Sequence, residues 1–119
     1  MMNLQERICI DGKPISEELF TQYFFEVWER LPQCATQDLN IPRCLQLLAL
    51  VSFHAFIEEK VDVAIYETHM GGEFDATNIL DHPVVTGVTS IGLDHVRLLG
   101  PYIEHIAWHK ALCKSIFKQ

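Results

Sequence analysis

The chain has 119 residues, 49% of them apolar and 21% charged, a globular composition with room for one small domain. A formal net charge of −7 repels phosphate backbones and anionic membrane surfaces, which argues against nucleic acid as a partner. Cys9, Cys34, Cys44 and Cys113 are scattered without a C-x-x-C pair, no apolar leader opens the sequence, and the first residues are not Arg-rich. Reduced thiols in a cytoplasmic protein are the expectation.

The first element runs from Glu6 to Ile15: Ile8 and Ile10 alternate with polar neighbours, and Asp11-Gly12 marks a tight turn after a short strand. A helix starts at Ser16, whose hydroxyl can cap it, with Glu17 and Glu18 in the positive first turn. Leu19, Phe20, Tyr23, Phe24, Val27, Trp28 and Leu31 repeat at helical spacing, and Pro32 is expected to stop the helix. Residues 33–41 read as a polar connection. Pro42 then suits the first turn of a second helix, roughly Arg43 to Glu59, apolar around most of its circumference and so expected to be buried from more than one side. Its apolar run, Leu45 to Ile57, is broken by Gln46, Ser52 and His54 and is too short to span a bilayer.

Val61 to Tyr66 and Pro83 to Ile91 are short, β-branched runs without clear apolar–polar alternation, the pattern of strands buried on both faces of a parallel sheet. A loop with Gly71-Gly72 and Asp75-Ala76-Thr77-Asn78 separates them, and Gly100-Pro101 introduces a last helix, roughly Tyr102 to Lys114. The class is therefore α/β, a short parallel sheet flanked by helices. Two central strands do not complete a sheet, so the chain is expected to be part of something larger.

Ligands collect beyond the carboxyl ends of parallel strands. Glu67 follows the first strand and Asp94-His95 the second, so a carboxylate and an imidazole converge on one rim and together suit a divalent cation. The same residues also fit a plainer role as loop groups hydrogen-bonded to backbone. Gly71 and Gly72 allow positive φ and close approach of a ligand, or form a simple turn. Thr77 and Asn78 suit either ligand contact or bracing of the loop. His105 and His109 share a helix face but lack the Glu of a zinc protease motif, so they read as a surface pair. Lys110, near the helix C-terminus, suits the dipole there. No G-x-x-x-x-G-K-[ST] loop occurs: Gly12-Lys13 is followed by Pro14, and Arg7 stands where the first glycine belongs.

Glu67-Thr68-His69-Met70-Gly71-Gly72-Glu73-Phe74-Asp75-Ala76-Thr77-Asn78 resembles the E-x-x-x-G-G-x-x-D-A-T-N signature of the folylpolyglutamate and dihydrofolate synthase family. Thr89 to His95 with Leu99-Gly100, and Ile106 to Ala111, resemble its next blocks in order. Ile8 to Ser16 and Phe24 to Trp28 are similar to the eukaryotic, especially fungal, members. The resemblance implies a partial Mur-ligase-type central ATPase domain over residues 1–119, lacking the phosphate loop and the C-terminal domain. It implies ATP and magnesium as cofactors, a folate-like acid and glutamate as substrates, and an amide made through an acyl phosphate. By position, Glu67 and His95 would be magnesium ligands, and Lys110 would be the lysine that some members carbamylate, which turns a cation into a metal-binding anion. Gly71, Gly72, Asp75 and Asn78 would shape the substrate loop.

Thr68-His69-Met70 departs from the small apolar residues common in the family, and Leu112 to Ser115 departs from its usual continuation. Two expectations follow. In one, the chain belongs to such a ligase and is inactive alone. In the other it is a non-catalytic paralogue, or acts on another acid, or only associates with a protein partner or itself. The family also occurs in mitochondria, which leaves that compartment beside the cytosol.

Overall fold

The computed structural model describes residues 4–34, 41–80 and 82–112. By its internal contacts the chain divides into two compact units, Met1–Ile65 and Tyr66–Gln119.

In the first unit a 3₁₀ turn, Leu4–Arg7, leads into a hairpin of β1 (Cys9–Ile10) and β2 (Lys13–Pro14), antiparallel with Cys9 opposite Pro14 and Ile10 opposite Lys13. Asp11 and Gly12 both take positive φ, 51° and 74°, the type I′ geometry whose twist matches that of the strands it joins. Helix α1 (Glu17–Cys34) starts at Ser16, whose Oγ accepts from the Leu19 N–H at 3.2 Å. Pro32 does not stop it but lies in its last turn, where a missing N–H costs a single helical hydrogen bond.

Helix α2 (Cys44–Glu58) has Arg43 as its N-cap, so Pro42 stands just before the helix and not in its first turn, and the Gln46 side chain accepts from the Arg43 N–H at 2.9 Å. It ends on Lys60 at φ 53°, with Lys60 N–H donating to Ile57 O and Val61 N–H to Phe56 O, a Schellman motif without its usual glycine. Ile8, Ile15, Tyr23, Val27, Val51 and Ala55 form the core of this unit, so α1 and α2 close on each other and on the hairpin. Of the connection read over 33–41, residues 35–40 lie outside the described residues.

The second unit holds the Gly-Gly loop, a short helix α3 (Val96–Leu99) that periodicity does not reveal, and α4 (Ile103–Ala111). The expected continuation of the last helix to Lys114 falls outside the described residues beyond Leu112. Gly100, at φ 103°, turns the chain between α3 and α4, and a Cβ there would collide with the His105 ring.

The parallel sheet is not formed among the described residues: the only sheet is the β1–β2 hairpin. Val61 to Tyr66 and Pro83 to Ile91 join no ladder, and side chains meant for a core stand in solvent, Val63 at 76% and Ile65 at 83% exposure. A strand apolar on both faces holds only when neighbours take up its ladder bonds and layers cover it.

Candidate active site

The Gly-Gly loop is built inward from Asp75. Its side chain is 6% exposed and accepts four hydrogen bonds. Oδ2 takes the N–H groups of His69 and Met70 at 3.0 and 3.3 Å. Oδ1 takes the Thr77 N–H at 3.0 Å and the Thr77 hydroxyl at 2.8 Å. Burial works against the charge, but the donors of Thr77, Met70 and His69 outweigh it and hold the Asp75 carboxyl below its ordinary value.

Asn78 fixes the far end of the loop. Its amide donates to the Glu73 carbonyl at 2.9 Å and to the Leu112 carbonyl at 3.3 Å, satisfying an acceptor left open where α4 ends. Glu73 adds two ties to α4: its N–H donates to the His109 carbonyl at 3.3 Å, and its carboxylate lies 3.1 Å from His109 Nδ1. Gly71, at φ 69°, sits buried where a Cβ would come within 3.1 Å of Leu99 and 3.6 Å of His109, so the loop backbone packs directly on α3 and α4. Thus Gly71, Gly72, Asp75 and Asn78 come together as a braced loop against α4. Asn78 braces the loop through both of these bonds.

His109 is not half of a surface pair. It is 20% exposed and turned to Glu73, whereas the His105 ring lies 5.4 Å from Tyr102. The Glu73–His109 tie joins residues far apart in sequence, and no local pattern signals it.

Glu67 stands exposed at the start of the loop. His95 is half exposed, in the left-handed region at φ 48° just before α3, with its Nε2 3.7 Å from Asp94 Oδ2. Lys110 is half-buried in the last turn of α4, next to the His109 that the loop grips. Among the described residues no group of three or more His, Cys, Asp or Glu side chains is gathered to hold a metal ion. An exposed carboxylate and an imidazole do not make a closed cage. As donors, one carboxylate and one imidazole would leave most of a magnesium ion's ligands to water and phosphate oxygens.

No protein-family model matches the chain. Relatives do. It is 53% identical to the folylpolyglutamate synthase of Neurospora crassa over 93% of this chain and 22% of that protein. It is 47% identical to the human mitochondrial folylpolyglutamate synthase over 100% of this chain and 20% of that protein. Among solved structures it matches the apo form of the L. casei folylpolyglutamate synthase with a TM-score of 0.85, at 35% identity over 94% of this chain and 27% of that one. A folylpolyglutamate synthase solved with AMPPCP matches with a TM-score of 0.79 at 36% identity, over 94% of this chain and 28% of that one.

The fold these neighbours define is that of the Mur-type ligases, and the chain carries a partial α/β domain of it. Within that class, over the segment it spans, the chain is similar in sequence and fold to folylpolyglutamate synthases. It spans about a fifth of the length of the curated relatives it matches.

Proposed function

We propose that this chain is the Gly-Gly loop and metal-rim portion of a ligase that joins glutamate to the terminal carboxylate of a folate-like acid at the expense of ATP. The observation that carries the reading is the braced loop: the E-x-x-x-G-G-x-x-D-A-T-N block folds with Asp75 and Asn78 fully engaged, leaving Glu67 exposed at its edge.

In the reaction, a carboxylate oxygen of the acid attacks the γ-phosphorus of ATP, giving an acyl phosphate and ADP. The glutamate amine then attacks the acyl carbon, loses a proton, and phosphate leaves as the amide forms. Glu67 and His95 are the residues that would hold magnesium, which supplies charge neutralisation at the phosphates. Lys110, as its carbamate, would add a second anionic group to that rim. Asp75 and Asn78 hold the Gly71-Gly72 backbone where a ligand can approach closely. A cytosolic location is our reading of the scattered cysteines, of which Cys9 and Cys44 are free thiols.

The 119-residue chain lacks a G-x-x-x-x-G-K-[ST] loop to cradle the triphosphate, so by itself it is expected to be inactive. The test is glutamate incorporation by the purified chain with ATP, magnesium and tetrahydrofolate. The expected result is none above a Lys110→Ala control, and magnesium-dependent incorporation above that control would overturn the inactivity of the chain alone. A second reading, association with a protein partner or with itself, is favoured by the exposed apolar runs at Val63, Ile65, Val84 and Val85.

A further inference from the structure

The first unit contains a titratable group that the proposed chemistry does not use. His54 on α2 is 9% exposed, and both of its ring nitrogens face carboxylates: Nε2 lies 2.5 Å from Glu26 Oε2 on α1, and Nδ1 lies 3.9 Å from Glu58 Oε1 one turn along α2. Tyr23 of α1 packs edge-on to the ring, with centroids 5.4 Å apart and planes at 84°. The Tyr23 hydroxyl donates to Glu59, which brings a third carboxylate to this end of the interface. Arg30 of α1 lines the same shallow groove as His54, with Val27, Leu31 and Leu50. The charged neighbours on the two helices are therefore Glu26, Glu58 and Glu59 against Arg30.

A neutral imidazole has one N–H and one lone pair, so it can donate to one carboxylate while the other nitrogen turns a lone pair toward the second. Only the imidazolium has a donor at each nitrogen. We propose that His54 is a proton-operated clasp between α1 and α2, closed as the imidazolium bridging Glu26 and Glu58, and slackened when the ring loses its proton. The hydrogen bond from His54 is also the largest of the influences that hold the Glu26 carboxyl below its ordinary value, so the α1 side of the clasp stays charged. The apolar contacts of Tyr23, Val27, Val51 and Ala55 do not depend on that proton, so its loss loosens the helix pair without unfolding it.

The experiment uses the full chain. Ring ¹⁵N shifts of His54 are followed by NMR in a sweep from about pH 5 to 8, with amide exchange of α2, corrected for intrinsic rates, in wild type, His54→Gln and Glu58→Gln. The expected result is both ring nitrogens protonated at the acid end. α2 protection should fall several-fold toward the alkaline end in wild type, less in Glu58→Gln, and not at all in His54→Gln. A single neutral tautomer throughout, or a wild-type exchange profile as flat as that of His54→Gln, would overturn the proposal. Should His54→Gln not fold, the wild-type ring titration and the Glu58→Gln profile decide it alone.

Discussion

Replacing Asp75 with Asn tests whether the Gly-Gly loop is organised by this one carboxylate. The two molecules differ by one atom, yet Asp75 faces only donors: two backbone N–H groups at one oxygen, and an N–H with a hydroxyl at the other. An amide must turn its –NH₂ toward one of these pairs. The better choice is toward Thr77, whose hydroxyl can rotate to accept, but the Thr77 N–H then meets a donor. That lost bond, and the loss of charge assistance from the other two, cost about 3 kcal/mol at a site only 6% exposed. Local opening would become easier by about a hundredfold, read as amide exchange over residues 69–77 in the full chain. Protection in Asp75→Asn within about threefold of wild type, some 0.6 kcal/mol, would refute the reasoning.

The pH dependence gives a second reading of the same carboxylate. Its value is lowered in the fold, so its contribution is fully present above the ordinary aspartate range near pH 3.9 and is lost as pH falls through the lower folded value. Wild-type loop protection should therefore weaken in acid, and the Asn variant should not show that limb.

The Tyr23 hydroxyl bound to Glu59 pushes Tyr23 up to about 12, so its share of stability holds below the ordinary tyrosine value near 10 and is lost as pH rises from there toward 12. Tyr23→Phe should lower the melting temperature at neutral pH by a few degrees and flatten that alkaline limb in a thermal scan; an unchanged limb would count against the bond. Lys60→Gly should raise the stability of the first unit by about 1 kcal/mol in urea titration, because the left-handed Schellman position no longer carries a side chain, and a loss of stability would show that the lysine is needed there. The side chains of Val63, Ile65, Val84 and Val85, each worth about 1.5–3 kcal/mol when buried, should drive the isolated chain to associate. Sedimentation giving a monomer at tens of micromolar, with one cooperative unfolding transition, would contradict this.

Features encoded by neighbours along the chain were legible in the sequence. Asp11-Gly12 foretold the hairpin turn, Ser16 the cap of α1, and Pro42 the start of α2, because each acts through residues within one turn of itself. Pro32 misled because its effect depends on how much helix remains to be lost, and only a last turn remained. Val61 to Tyr66 has the composition of a buried strand, but strand formation depends on edge partners that a local pattern cannot supply. The Gly71-Gly72 and Asp75 to Asn78 block was visible as a motif, although its grip on α4 through Glu73, His109 and Leu112 was not, since those contacts join distant positions. For the same reason His54 looked like a mere interruption of an apolar run, its partner Glu26 lying on another helix.

The most direct test of the functional account is a chimera in which this chain replaces the matching segment of the Neurospora crassa folylpolyglutamate synthase, to which it is 53% identical over 116 residues. The measurement is ATP- and magnesium-dependent incorporation of glutamate into tetrahydrofolate. The account predicts that the chimera ligates glutamate, and that Glu67→Gln and His95→Ala within it each lower the rate at least about a hundredfold while it still folds. A folded chimera without ligase activity, or one whose activity survives both substitutions, would contradict it.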